Sequence, residues 1–395
     1  MRLWSSGWEL GSAVNEVEWE SQAGTATADS TTKRTGSYSG RLVDGGGSGT
    51  RWEKQIVSGG VAGPWFVRVY INVASFGSGY AGPNPILSLT DTGGSLTFSI
   101  RLNMDGTLEL WDNLAQIGSD SSALSTGVWY RLEVRTYNNP FTLNQELEAR
   151  IDGIAFASTT TSLNIDDVQY IRLGEMLGTA GTAQDIYYDD LAINDTAAGG
   201  TQISWPGPTS IVHMHPDSAG DFNQALSGDW DSVNEAVPDD GTSIATLDAN
   251  NDILDVNMES TSSIGIERGS VINLVSVGIR VAGGTLSCSF QVRIKSQSGG
   301  TVSASATTAI VGAGYVTHDD ATVNIYTLTS YTDPQTGKPW TTDMLDGAQI
   351  GVIAIDAAPD VLVSTLWALV DYGEKITSPI RNRLRPAIFT PGLAR

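Results

Sequence analysis

At 395 residues, with 40% hydrophobic and only 17% charged residues, the chain holds apolar surface enough for about two modules with a core each, which excludes a chain disordered throughout. Its 22 basic residues against 44 acidic ones leave a net charge of −22, and such a surface repels phosphate backbones and anionic membranes, so general nucleic-acid binding is excluded. The one cysteine, Cys288, closes no intrachain disulfide and builds no thiolate zinc cluster. No run approaches the ~20 apolar residues that span a bilayer, so membrane insertion is not expected.

The opening stretch, Met1 to Glu9, mixes Trp4, Ser5, Ser6, Gly7 and Trp8 and lacks the continuous apolar segment of a signal peptide. The expectation is synthesis in a cytoplasm without export. Glu16, Glu18 and Glu20 then alternate along one face, a pattern shared by paired catalytic carboxylates and ordinary solvated strands. Strand signals follow at 65–73, 85–90, 96–102, 107–111, 129–136, 147–151, 168–173 and 187–193, separated by Gly, Asn, Asp and Pro. In the first of these, Trp65, Val67, Val69 and Ile71 form one apolar face while Phe66, Arg68 and Tyr70 line the other, which predicts cover on both sides. Asn103-Met104-Asp105-Gly106 reads as a tight hairpin, because Asp-Gly tolerates positive φ. Gly77-Ser78-Gly79-Tyr80-Ala81-Gly82 fits the glycine spacing of a nucleotide loop, yet Pro83 and Pro85 stand where the required helix would begin. Glu146 and Glu148 form a second alternating acid pair.

Alternation breaks down between Ala197 and Pro208, where Gly and Pro gather, and this marks a boundary. A second series of strand signals runs through 211–215, 243–247, 253–257, 272–281, 285–296, 301–307, 315–317, 323–327, 348–354 and 362–370. Cys288 falls inside one of them as a small buried thiol. His213 and His215 project to the same side of a strand with Asp217 two further on, which suits either a metal or a sheet-edge surface pair. Pro216 interrupts that strand, and a third ligand such as His318 would come from elsewhere. A short helix is expected at 341–345, capped by Thr341 or Thr342. Trp4, Trp8 and Trp340 lie in Gly, Ser, Pro or Thr contexts and are candidate interface anchors. The end of the chain carries Lys375, Arg381, Arg383, Arg385 and Arg395 against Glu374 alone. That basic, Pro-interrupted arm on an acidic body suits docking on a neighbouring surface.

Three groups of motifs carry a resemblance. Ser6-Gly7-Trp8-Glu9 with Arg34-Thr35-Gly36-Ser37-Tyr38-Ser39-Gly40-Arg41-Leu42 resembles the entry of concanavalin-like and laminin-G-like jelly-roll modules. Gly127-Val128-Trp129-Tyr130-Arg131-Leu132-Glu133-Val134, Leu147 to Gly153 and Tyr187-Tyr188-Asp189-Asp190-Leu191-Ala192-Ile193-Asn194-Asp195 look like later strands of the same fold. Continuing through Val212 to Asp217, Asp231 to Glu235, Pro238 to Ser243, Asp333 to Thr341 and Ala348 to Val352, the succession resembles tailed-phage virion proteins in which a second sandwich follows the first.

The resemblance implies an all-β fold of two β-sandwich (jelly-roll) domains, at 1–197 and 210–373, joined by a Gly/Pro-rich linker at 198–209 and followed by a basic C-terminal arm at 374–395. It implies a non-enzymatic virion structural protein, a capsid decoration, fibre or tail-associated adhesin, whose partners are other virion proteins, copies of itself and a host surface glycan. A lectin-like carbohydrate-binding module is the alternative, with a glycan depolymerase behind it. No cofactor is expected other than calcium, for which the resemblance makes Asp189 and Asp190 candidate ligands alongside Asp112, Asp185 and Asp195.

Overall fold

The computed structural model describes residues 1–375 apart from 12–17, 44–48, 58–62, 80–81, 113, 139–144, 161–167, 175–183, 198–199, 242, 284–287, 311–313, 318–325 and 359. It is built of antiparallel sheets, and its described helical pieces are two short turns, Trp230–Ser232 and Thr342–Leu345. Thr341 caps the second by accepting a hydrogen bond from the Met344 amide at 3.2 Å, as a hydroxyl at that position should. No described helix is long and apolar enough to cross a membrane.

The first half forms two facing sheets. One runs in the order Ile154–Thr159, Gln145–Ile151, Trp129–Asn138, Trp65–Phe76, Gln184–Asn194, Ser39–Val43 and Thr25–Asp29, with Arg2–Ser6 also paired to Gln184–Asn194. The other runs Gln116–Ile117, Leu108–Asp112, Leu96–Leu102, Asn84–Thr90, Tyr170–Gly174, Arg51–Gln55 and Ser21–Ala23. Inward residues of period two from both sheets, among them Val67, Val69, Ile71, Leu87, Leu89, Phe98, Leu132 and Ile186, close a shared core, the arrangement of an aligned sandwich. The turn after Leu102 is the expected hairpin: Gly106 takes φ +86° and its amide donates to the Asn103 carbonyl at 3.1 Å.

Residues 209–373 form a second pair. Thr209–Met214, Val361–Gly373, Val271–Gly283 and Val316–Thr317 lie in order in one sheet, with Ala245–Leu247 on Val361–Gly373 and Tyr326–Ser330 on Val271–Gly283. Pro216–Asn223, Ile253–Met258, Gln349–Asp356, Cys288–Lys295 and Ser303–Ala304 make the other, with Thr308–Ile310 on Cys288–Lys295. Of the expected continuous strand at 301–307 only Ser303–Ala304 forms, Thr308–Ile310 following beyond it, and each pairs a different part of Cys288–Lys295. Cys288 is buried beside them, and burial pushes its thiol up to about 11.

Trp4, Trp8 and Trp340 correct the expectation that they anchor an interface. Their exposures are 1%, 1% and 3%. Trp4, Trp8, Trp19 and Trp52 form one aromatic cluster with centroid spacings of 4.8 to 5.8 Å, and Trp340 belongs to the second core. The reason is local. Strand Arg2–Ser6 is laid against Leu191–Asn194, and Trp8 then adopts φ +58°, which folds its indole back into the sandwich. Small flanking residues give the large ring room to pack and do not mark it as surface.

Candidate functional site

The two pairs of sheets meet along the outer face of strand Trp65–Phe76. Phe66, Arg68 and Tyr70 are buried there, as the two-faced pattern of that strand predicts. The connection from the first half to the second supplies part of the cover: Trp205 packs edge-on to Phe66 at 5.8 Å and lies 3.9 Å under the Arg150 guanidinium. Arg68 donates to the carbonyls of Asp190 at 3.0 Å and Gly207 at 3.1 Å and to the Thr209 hydroxyl. The described part of the linker is therefore bonded to the first sheet.

A buried ion pair crosses this junction. Arg2 reaches Asp371 at 2.7 Å, and Asn273 donates to the same carboxylate at 2.7 Å. Burial alone would raise the Asp371 pKa, but Arg2 and Arg68 beside it hold it below the usual carboxylate range. Arg34 reaches Asp190 at 2.5 Å while its guanidinium stacks 3.6 Å above Tyr70. Asp190 also accepts from the Thr35 hydroxyl at 2.8 Å and from the Ile211 amide at 2.5 Å, so it binds both halves at once. A bulge between Asp189 and Ala192, with φ +52° at Asp190, aims the side chain outward for that task.

This assignment corrects the calcium expectation for Asp189 and Asp190. Their oxygens are committed to Arg34, Thr35 and Ile211, and burial, with Asp190 and Glu9 adding repulsion, lifts Asp189 well above the usual carboxylate range. Asp112 instead accepts from the amides of its own turn, Asp185 pairs with Arg41 at 2.7 Å, and Asp195 takes the amino terminus at 2.5 Å. Among the described residues no three His, Cys, Asp or Glu side chains are grouped to hold an ion.

Beside the junction opens a cleft of about 800 Å³, within the range of small-molecule sites. One wall is the loop Lys33–Tyr38 with Glu9; the other is formed by His213, His215, Asn234, Glu259, Ser263 and Tyr372. The loop wall is fixed from behind. Glu9 accepts from the Ser37 amide at 2.7 Å, and the Arg34 amide donates to Asp189 at 2.8 Å. Gly36 has φ +60°, and a Cβ there would collide with the Glu9 carboxylate, so only glycine lets the loop close over it. Burial raises the Glu9 carboxyl well above its ordinary value despite the two amides it accepts from. On the opposite wall the Glu259 carboxylate accepts from the His215 amide at 2.9 Å, and burial raises it too. A smaller extension of about 540 Å³ continues past Arg34 and Tyr372 to Ser270, Glu374 and Lys375.

His213 lies on an edge strand, as the sheet-edge reading expects, but not at the surface, and His215 follows just past the strand's end. Strand Thr209–Met214 is covered by the first sandwich, and His213, 3% exposed, stacks on Trp367 at 5.8 Å. Burial, with His215 nearby, lowers the His213 pKa well below its ordinary value, and burial brings His215 down to about 4.

The other sequence candidates separate. Glu148 pairs with Arg135 at 3.0 Å and Arg150 at 2.6 Å, with Glu146 3.7 Å from Arg135. Glu20 lies 3.7 Å from Lys54, Glu18 is buried, and Glu16 falls outside the described residues. Lys375 is exposed at the mouth of the smaller extension, while Arg381, Arg383, Arg385 and Arg395 lie outside the described residues, as does His318. Sequence reasoning missed Glu9, Arg2 and Asp371. The signal that bore on them was the charged Arg68 on a strand apolar on both faces.

No protein-family model matches the chain, and no curated protein does. Among solved structures it is similar to the cellulose-induced protein Cip1, at 18% identity and TM-score 0.39 over 49% of this chain and 98% of that one. It is similar also to domain 4 of an extracellular arabinanase from Geobacillus stearothermophilus in complex with arabinotriose, at 14% and 0.33 over 49% and 92%. A conserved carbohydrate esterase from the Shiga toxin-encoding bacteriophage phi24B matches at 19% and 0.35 over 49% and 97%. Each likeness spans about half of this chain and is too distant to transfer those proteins' chemistry.

Proposed function

We propose that this chain is a non-enzymatic adhesive component of a tailed-phage virion that holds a host-surface glycan in the cleft between its two sandwiches. The observation that carries the reading is the cleft: about 800 Å³, lined mainly by polar groups, with its loop wall bonded in place before any ligand arrives. The Glu259 carboxylate, the Asn234 amide and the hydroxyls of Thr35 and Ser263 supply donors and acceptors for a polyhydroxylated ligand, and Tyr38 and Tyr372 supply ring surface. A site fixed in advance loses less entropy on binding. The virion assignment rests on the order of sequence motifs along both halves. The non-enzymatic assignment has support from Glu146 and Glu148, whose nearest cations are Arg135 and Arg150, which leaves that pair arranged as a salt-bridge cluster.

Binding of the full chain to arrayed bacterial surface glycans, followed by calorimetry on the best binder, tests the reading. Asn234→Ala and Tyr38→Ala are expected to weaken binding about tenfold or more with no glycan turnover. A blank array, or wild-type affinity in both variants, removes the cleft from the account. Release of shortened products would replace adhesion with hydrolysis.

A further inference from the structure

His213 and His215 have no part in the junction's ion pairs, yet both line the cleft. Neither ring nitrogen of His213 has a hydrogen-bond partner, and neither does Nδ1 of His215. Stacking on Trp367 accounts for one face of the His213 ring and for none of its nitrogens. A phenyl ring would fill the same space without the ~1–3 kcal/mol that an unsatisfied buried polar group costs. The two rings are 6.2 Å apart, centroid to centroid. His213 lies near the end of strand Thr209–Met214 and His215 just past it, and the Glu259 carboxylate sits beside His215 through its bond to the backbone amide.

We propose that His213 and His215 form a site for one divalent transition-metal ion of the imidazole-preferring kind, such as Ni²⁺, Zn²⁺ or Cu²⁺. Both residues line the cleft, and their buried, unpartnered ring nitrogens are the observation that points to an ion. Because no third described His, Cys, Asp or Glu joins them, the remaining coordination positions fall to water or to a ligand entering the cleft. Oxygen-seeking Ca²⁺ is a poor match for two imidazoles. The inference stands independently of the glycan reading, since the ion is measured with no glycan present.

The experiment uses the untagged full chain, stripped with chelator and dialysed, then titrated with Ni²⁺ by calorimetry. One ion per chain is expected, with no competition from Ca²⁺. His213→Phe, which keeps a ring against Trp367, and His215→Ala are each expected to lower affinity at least tenfold. The chain contains 3 histidines in all, so paramagnetic Ni²⁺ added to the wild type should broaden the imidazole signals of His213 and His215 before that of His318. This readout needs no variant to fold. Absence of saturable uptake, wild-type affinity in a folded variant, or first broadening at His318 would each overturn the proposal.

Discussion

Glu18 and His215 show how burial acts on single titrating residues in opposite directions. Burial raises the Glu18 carboxyl from 4.5 to about 7, against the lowering pull of Ser6, the Trp8 amide and Lys54. The folded state therefore binds this proton more tightly than the unfolded one. Its contribution to stability is fully present below about 4.5 and is lost as pH rises through about 7. His215 is lowered from 6.5 to about 4, so its contribution is present above 6.5 and is lost as pH falls through 4. The two losses overlap between pH 4.5 and 6.5 with opposite slopes and mask each other in the wild type. Glu18→Gln removes one of them. Denaturant titrations should find this variant more stable relative to wild type at pH 8 than at pH 4.5, by roughly 3 kcal/mol. An unchanged difference across that range would mean that the carboxyl is not buried as described.

Among the elements, the long strands were the legible ones. Trp65–Phe76, Leu96–Leu102, Val271–Gly283 and Val361–Gly373 each announce themselves by runs of β-branched and aromatic residues that are buried on one or both faces. Strands Arg2–Ser6, Ser21–Ala23, Thr25–Asp29 and Arg51–Gln55 gave no comparable signal. They are short and interleave Ser, Thr, Gln and charges, and their pairing partners, not their own composition, make them strands. The cleft was illegible for the same reason, since its walls come from residues 9, 33–38, 212, 213, 215, 234, 236, 259, 263–265 and 372, which only tertiary packing assembles. The loop Lys33–Tyr38 offers a test at this scale. Gly36→Ala places a methyl group against the Glu9 carboxylate at φ +60°, where both the backbone and the neighbour resist it. The variant should lose about 1–3 kcal/mol of stability and, in calorimetry, bind the cleft ligand more weakly than its loss of stability alone explains. Full ligand affinity with an unshifted melting curve would show that the loop is not clamped by Glu9.

For the molecule as a whole, the junction decides whether two sandwiches behave as two bodies or one. Glycine and proline between Ala197 and Pro208 suggest a slack connection when read alone. Trp205, Gly207 and Thr209 are bonded to the first sheet instead, and Ile211, Leu274, Trp367 and Leu369 of the second pair of sheets share a hydrophobic cluster with the first. Asp371 is the charge on which this arrangement turns, because it is fully buried and faces Arg2 from the far end of the chain. Asp371→Asn keeps its shape but leaves buried guanidinium groups without their counter-ion, a change that costs on the order of 3–5 kcal/mol. That cost falls on the contact between the sandwiches and spares most of either core, which holds its own layers of Val, Ile and Leu. Scanning calorimetry at pH 7 should accordingly show one transition in the wild type and two in this variant, the halves melting separately once their contact no longer couples them. One transition in the variant at the wild-type temperature would mean that the Asp371 ion pair contributes nothing to coupling, and that the apolar contact of Ile211 and Trp367 joins the two halves without it.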